Sequence, residues 1–193
     1  GGVKRELMSF DVAKRAVDFL IQMSGTRQHC EIDFFGGEPL LNWDVVKQTV
    51  EYIEQEAPKH NKIFKLTLTT NGMLLSQEKI DYVNEHKMSL VLSLDGREDV
   101  HNAMRPVAGS GANSYEYIAK NLVNAVKQRH GLEYYVRGTY THKNLDFTKD
   151  VLAMSDLGFE HLSMEPVVGE EGDYVLREED WPTLEKEYEK LAD

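Results

Sequence analysis

Segments of helical and strand periodicity alternate along this chain from one end to the other. Five short runs rich in β-branched, aromatic and leucine residues are predicted as strands: Glu31–Phe35, Phe64–Thr70, Ser89–Leu94, Tyr134–Tyr140 and Phe159–Glu165. Helical patterns separate these runs. The alternation therefore predicts an α/β fold in which parallel strands are joined by right-handed crossovers.

Amphipathic segments between these runs are predicted as helices. Their bounds are Ser9–Gly25, Asp44–Glu56, Ser76–His86, Ser114–Arg129 and Phe147–Leu157, with a last helix from near Arg177. In that last helix we expect Trp181, Leu184, Tyr188 and Leu191 to face the core. Asp99–Arg105 is interpreted as a short polar segment that leads into a glycine-rich loop.

The first helix has no strand before it, whereas each of the five strands is followed by a helix. A strand ahead of the first helix would complete six units, so we favour a partial, open (β/α)6 barrel that lacks its first strand. A doubly wound sheet is the competing architecture. No linker interrupts residues 1–193, which are predicted to form one domain. The start, Gly1-Gly2-Val3, contains no methionine and favours a chain cut from a larger protein.

Composition narrows the range of partners. The 193 residues carry a formal net charge of -11, which argues against a phosphate-backbone partner, and no run resembles a membrane span or a signal peptide. The single cysteine, Cys30, excludes an intrachain disulfide or a multi-cysteine metal site within these residues. We therefore expect a cytoplasmic protein that binds neither nucleic acid nor membrane.

Every predicted strand ends in polar or glycine-rich sequence. The ends are Gly36-Gly37-Glu38-Pro39, Thr69-Thr70-Asn71-Gly72, Ser93-Leu94-Asp95-Gly96, Arg137-Gly138-Thr139 and Met164-Glu165-Pro166. In parallel α/β folds the carboxyl ends of the strands meet on one side of the sheet, where ligands bind. A ring of donors and acceptors there predicts a site for a polar small molecule with several functional groups.

The end of the first strand is suited to an ammonium group. Gly36 and Gly37 have no Cβ, so a ligand can approach their backbone closely. Pro39 donates no hydrogen bond and leaves carbonyl oxygens free as acceptors. Glu38 adds negative charge beside them.

Two other strand ends offer complementary groups. Ser93 and Asp95 lie two residues apart on one strand face, where a hydroxyl and a carboxylate suit a ribose diol. Arg137 offers a planar fork for a carboxylate. Ammonium, ribose and carboxylate together describe an amino acid attached to a nucleoside.

Each feature also has a structural interpretation. Gly36-Gly37 fits a bulge with Glu38 on the surface, the Asn71-Gly72 pair fits a plain turn, and Arg137 fits half of an ion pair. Glu38 and Asp95 would also fit paired carboxylates for acid–base catalysis in a conventional enzyme. The joint placement of these residues at five strand ends favours a ligand site.

Several of these stretches resemble motifs of radical S-adenosylmethionine (SAM) enzymes. FFGGEPLLN resembles the GGEP motif that takes the methionyl ammonium, and LSLDG resembles the ribose motif. YYVRGTYTHKN matches the segment whose arginine binds the SAM carboxylate, and TTNG and SMEPV match strand ends that line the pocket. The resemblance implies SAM contacts for Gly36, Gly37, Glu38, Pro39, Thr70, Asn71, Ser93, Asp95, Arg137 and Met164.

A closer resemblance covers essentially the whole chain. ELMSFDVAKRAVDFLI, EIDFFGGEPL, LSLDGREDVHNAMRP and LGFEHLSMEPVVG are similar to the peptide-modifying (SPASM-type) branch, and most of all to maturases that form thioether cross-links in SCIFF peptides. DVHNAMRP looks like the active-site loop of that branch. The resemblance implies reductive cleavage of SAM to a 5′-deoxyadenosyl radical, a Cys-rich ribosomal precursor peptide as substrate, and a flavodoxin or ferredoxin as electron donor. It assigns no catalytic residue.

The chain departs from this family in one respect. The CxxxCxxC motif that holds a 4Fe–4S cluster is absent, and one cysteine cannot supply the thiolates. We therefore expect a radical SAM core fragment, inactive alone, whose parent enzyme holds the 4Fe–4S cluster through ligands absent from this chain. The alternatives are another radical SAM maturase, such as a sulfatase-maturing enzyme, and a non-catalytic barrel that binds a peptide or partner.

Overall fold

The computed structural model describes residues 6–107, 109–169 and 172–192. A five-stranded sheet runs through them, made of β1 (His29–Phe34), β2 (Ile63–Thr70), β3 (Ser89–Ser93), β4 (Tyr134–Tyr140) and β5 (Leu162–Pro166). All neighbouring strands are parallel. The predicted strands are confirmed, although β5 begins three residues later than Phe159, whose side chain is buried in the connection before it.

The strands follow the chain order across the sheet, β1-β2-β3-β4-β5. A doubly wound sheet would instead change direction partway, with later strands added on the other side of the first. The doubly wound alternative is therefore wrong. The predicted open barrel is confirmed, since the five parallel strands form a half-barrel with β1 and β5 at its edges.

Helices connect the strands as predicted, and none in the described ranges is long and apolar enough to cross a membrane. They are α1 (Phe10–Met23), α2 (Trp43–Glu56), α3 (Gln77–Glu85), α4 (Glu98–Met104), α5 (Tyr115–Lys127), α6 (Thr148–Asp156) and α7 (Trp181–Ala192). Only α4 was not expected. It forms in the short polar segment, where the buried side chain is His101 and not an apolar residue.

The main core lies between the sheet and the helices. Leu90 and Leu92 of β3 and Val136 of β4 are fully buried, and Val50 of α2 and Leu122 of α5 join the same apolar cluster. Full burial of one such side chain contributes about 1.5–3 kcal/mol relative to leaving it exposed. This packing holds the strand ends in fixed positions on one rim.

The prediction for the last helix is only partly correct. Leu184 is buried against Tyr140 and Phe147, in a second, smaller cluster. Tyr188 is 48% exposed, but its ring packs edge-on against Phe147 and its hydroxyl lies 2.9 Å from that of Tyr140, so it faces this smaller cluster. Trp181 and Leu191 are 61% and 40% exposed, and for these two the expectation that they face the core is wrong. The reason is that α6 and the smaller cluster cover only one stripe of the α7 surface.

Candidate functional site

The polar strand ends lie at the carboxyl-terminal rim of the half-barrel. Ser93 pairs with Arg137 across β3 and β4, and Gly138 pairs with Met164 across β4 and β5. Thr70 is the last residue of β2. Because the strands are parallel and adjacent in chain order, the residues predicted from separate strand ends share one side of the sheet.

The carboxylate of Glu38 joins the ends of β1 and β2. Its Oε1 accepts hydrogen bonds from the Thr70 hydroxyl (2.8 Å) and the Leu40 amide (3.0 Å), and its Oε2 accepts one from the Asn71 amide (2.9 Å). The Thr70 hydroxyl in turn accepts a bond from the Gly72 amide (3.1 Å). Glu38 is therefore not a free surface residue. Its side chain is satisfied by protein donors and holds this part of the rim in shape.

Main-chain carbonyl oxygens are the acceptors that remain beside Glu38. Within the part of the chain that the structure describes, no donor reaches the carbonyl oxygen of Gly36 or Gly37. Gly36 has a φ of +152°, and a Cβ at either glycine would meet no atom within 4 Å. Both glycines border open space, so a ligand can approach these backbone acceptors closely.

Ser93 and Asp95 lie in different environments. Asp95 is 1% exposed, and its carboxylate accepts hydrogen bonds from Arg105 Nε (2.6 Å), Arg105 Nη2 (3.1 Å) and the Thr139 amide (3.0 Å). Ser93 is half-buried, and no described residue bonds its hydroxyl. Ser93 stays a predicted ribose contact, whereas the geometry around Asp95 is that of a positioning residue.

Helix α4 is anchored on this rim by two residues of the segment DVHNAMRP to which the sequence assigned no individual role. His101 is fully buried, and its Nδ1 accepts a hydrogen bond from the Asp95 amide (3.3 Å). Burial lowers the pKa of His101 to about 4, so the ring is neutral at pH 7. Asn102 Oδ1 accepts bonds from the amides of Ser114 and Tyr115, at the start of α5. The segment DVHNAMRP is thus held against β3 and α5.

A second charged network lies beside the turn after β3. Arg97 Nε donates to Asp150 (2.7 Å) and its Nη2 donates to Asp146 (2.7 Å). These bonds raise the pKa of Arg97, and the Arg97 guanidinium lowers the pKa of Asp146 to about 2. Gly96 has a φ of +101°, and a Cβ there would lie 2.2 Å from Asp150 Cβ. The turn at residues 95–96 therefore requires glycine.

Arg137 forms an ion pair and keeps donors available. Its Nε lies 3.1 Å from Glu165 Oε1, and both side chains are about half exposed. No described acceptor takes its terminal amino groups, so these remain available for a carboxylate. Beside it, a Cβ at Gly138 would lie 2.4 Å from Met164 Sδ and 2.9 Å from the Leu94 carbonyl oxygen. Met164 therefore packs directly over Gly138, a contact that the glycine within the strand could have signalled.

These rim groups fit SAM. The carbonyl oxygens of Gly36 and Gly37 match its ammonium group, the unbonded Ser93 hydroxyl matches its ribose, and the donors of Arg137 match its carboxylate. Each lies on the same rim, and no residue in the described ranges competes for the atom concerned. The rim is thus chemically suited to an amino acid joined to a nucleoside.

A 4Fe–4S cluster does not fit the ligands that these residues offer. Cys30, the only cysteine of the sequence, is buried within β1, and such a cluster needs several thiolates. His142, Glu179 and Asp180 bring one ligand atom each within 4.8 Å of one another. However, His142 Nδ1 lies 2.9 Å from Asp180, which also accepts a bond from the Arg177 amide. These contacts tie the connection after β4 to the start of α7.

Residues 1–159 match the Radical SAM superfamily, and the chain belongs to that superfamily. A cysteine-type anaerobic sulfatase-maturating enzyme of Clostridium perfringens is 33% identical over 78 residues, which are 40% of this chain and 21% of that protein. The radical SAM cyclopropyl synthase TigE of Paramaledivibacter caminithermalis is 24% identical over 121 residues, 62% of this chain and 24% of that protein. The aligned segments therefore cover less than a quarter of the length of either relative.

Solved structures contain the same half-barrel. Native anSMEcpe with bound AdoMet and Kp18Cys peptide matches with a TM-score of 0.84 and 21% identity, over 96% of this chain and 52% of that chain. Native anSMEcpe with bound AdoMet matches with a TM-score of 0.81 and 22% identity, over 98% of this chain and 53% of that chain. The predicted radical SAM barrel is confirmed, while the SAM contacts and the thioether chemistry stay predictions.

Proposed function

We propose that this chain is the SAM-binding core of a radical SAM enzyme that modifies a polypeptide. One observation carries the proposal. The carbonyl oxygens of Gly36 and Gly37, which no described donor reaches, line one rim of the superfamily's half-barrel together with the Ser93 hydroxyl and the donors of Arg137. SAM bound there would supply radical chemistry, and the residues of the chain would bind and orient it.

The roles of the rim residues follow from their contacts. Gly36 and Gly37 would accept hydrogen bonds from the ammonium group, and Arg137 would donate to the carboxylate. The Glu38 side chain would hold the connection after β1 in the conformation that SAM requires. Pro39 has no N–H group, so it would not compete with the ammonium group for the neighbouring carbonyl oxygens.

The remaining predicted contacts divide by chemistry. Met164, which packs over Gly138, would offer an apolar face to the adenine ring. Thr70 and Asn71 donate hydrogen bonds to the Glu38 carboxylate. They would therefore fix the position of the connection after β1, which carries Gly36 and Gly37. Asp95 would hold β4 and α4 in register behind the ribose contact of Ser93.

For the substrate we favour a cysteine-containing polypeptide. A relative is named as a cysteine-type sulfatase-maturating enzyme, and a structural neighbour carries a Kp18Cys peptide. Sulfatase-type maturation is therefore the better supported reaction. Thioether cross-linking of a Cys-rich SCIFF-type precursor is the second candidate, favoured by the resemblance of DVHNAMRP and the flanking segments. Either reaction would require a 4Fe–4S cluster with ligands outside these residues, and an electron donor such as a flavodoxin or ferredoxin.

Titration calorimetry with SAM tests the proposal. Arg137→Ala removes donors to a charged carboxylate, which corresponds to about 10–150-fold weaker binding. Glu38→Ala is also expected to weaken binding, with a loss of stability because three donors lose their acceptor. Arg15→Ala is the control, since Arg15 is 76% exposed on α1. Failure of SAM to bind, or equal affinity for the Arg137 variant and the Arg15 control, would overturn the assignment.

Mass spectrometry separates the two reactions in a longer protein that supplies the cluster ligands. Thioether formation removes two hydrogens and leaves a fragmentation pattern with two residues joined through sulfur. A product altered at a single cysteine, with no second residue joined, would support the sulfatase-type reaction. Binding of SAM without any modified product from peptide libraries would favour the non-catalytic barrel.

A further inference from the structure

A cavity lies beside the candidate SAM site. It has a volume of about 360 Å³ and lies between the connections that follow β1 and β2, the end of α4 and the start of α5. Its walls are mainly apolar, and they include Leu41, Met73, Leu74, Val107 and Ile118. This volume is at the low end for ligand pockets, so it suits one or two side chains and not a whole cofactor.

The cavity is continuous with the rim already described. Glu38 and Asn71, which are hydrogen bonded to each other, contribute to its lining. Leu41 and Leu74 are 63% and 38% exposed, so the apolar wall is open to solvent in this chain. A group bound in the cavity would therefore lie next to the part of the rim assigned to the SAM ammonium.

One polar residue of the lining has an unusual arrangement. Arg105 is held by the buried Asp95 through Nε and Nη2, and its side chain is 35% exposed. No described acceptor takes Arg105 Nη1, which leaves a donor with a fixed position at the edge of an apolar wall. A fixed donor beside an apolar surface matches a peptide, in which a main-chain carbonyl lies close to each side chain.

We propose that this cavity is a specificity subsite for an apolar side chain of the polypeptide substrate, with Arg105 donating to a neighbouring main-chain carbonyl. The proposal rests on the proposed function, because it places the substrate beside bound SAM. Leu41, Leu74 and Ile118 would cover the side chain, and the ion pair with Asp95 would hold the Arg105 fork in position. The subsite would favour substrates that carry an apolar residue near the modified residue.

Fluorescence anisotropy at saturating SAM tests this subsite. The probes are fluorescein-labelled hexapeptides with one cysteine, in which leucine or aspartate occupies each neighbouring position in turn. Burial of a leucine side chain predicts at least about tenfold tighter binding for leucine at one position. Leu74→Asp should remove that preference and leave SAM affinity unchanged. Leu191→Asp is the matched control, because Leu191 is 40% exposed on α7 and lies outside the cavity lining.

The outcomes separate the subsite from the proposed function. If the unsubstituted chain fails to bind SAM, the proposed function fails and the subsite fails with it. If SAM binds but leucine gives no advantage at any position, the subsite alone is overturned. A leucine preference that survives in Leu74→Asp, or that is lost equally in Leu191→Asp, also overturns it.

Discussion

Replacement of Arg105 by methionine tests whether buried Asp95 holds α4 and β4 on the rim. The substitution keeps an aliphatic stem and removes the guanidinium group. Of the described donors, the Asp95 carboxylate then retains the Thr139 amide alone (3.0 Å). Asp95 is 1% exposed in the unsubstituted protein, and Arg105 provides two of the bonds to its carboxylate. The folded state is then left with a poorly compensated buried charge.

The expected loss follows from the burial of the pair. Removal of one partner from a buried ion pair costs about 3–5 kcal/mol, whereas an exposed pair contributes about 0–1 kcal/mol. The Arg105 side chain is 35% exposed, which places this pair toward the lower end of the first range. We expect a loss of about 3 kcal/mol in the free energy of unfolding for Arg105→Met.

Urea unfolding followed by circular dichroism measures this loss, and Arg15→Met is the control. Arg15 pairs with Asp11 on α1, where the side chains are 76% and 69% exposed. A double-mutant cycle with Asp95→Asn should give a coupling of about 2 kcal/mol, because the second substitution removes the charge that the first left unpaired. The reasoning is refuted if Arg105→Met costs no more than Arg15→Met, or if the two losses in the cycle are additive.

Two further predictions concern backbone space and one buried histidine. Gly37→Ala should change the free energy of unfolding by less than about 0.5 kcal/mol, since the added Cβ meets no atom within 4 Å, and yet weaken SAM binding. Gly138→Ala should cost about 1–3 kcal/mol, because the added Cβ would lie 2.4 Å from Met164 Sδ. Equal urea-unfolding losses in the two variants would contradict this difference. His101 has a pKa of about 4 in the fold, below its ordinary value of 6.5. As the pH decreases from 6.5 to 4, the unfolded chain therefore binds a proton before the folded chain does. The free energy of unfolding falls by about 1.4 kcal/mol per pH unit over this interval. His101→Gln should reduce this slope, and an unchanged slope would show that His101 stays unlinked to folding.

Local patterns in the sequence determined which segments become strands and most helices. Alternating side chains, glycine turns and the Ser9 cap act over a few residues, so they can be recognised without the fold. Parallel α/β topology then predicts that the strand ends meet, which located the candidate site. Helix α4 was missed because its anchor, His101, is a polar residue whose burial depends on other elements of the fold.

Only the tertiary structure decided what the two strand-end carboxylates do. Glu38 bonds Thr70, which lies 32 residues further along the chain, and Asp95 bonds Arg105 and Thr139, which lie 10 and 44 residues away. A sequence pattern places a carboxylate at a strand end, but the donors that fold onto it come from separate elements.

The buried carboxylate of Asp95 must be satisfied within the protein, and donors of neighbouring elements satisfy both it and the half-buried Glu38. Among the residues that the structure describes, none bonds the carbonyl oxygens of Gly36 and Gly37, the Ser93 hydroxyl or the terminal donors of Arg137. The sequence therefore identified the rim and its residue types. The fold decided which atoms there remain available to a ligand, because that depends on contacts between residues distant in the chain.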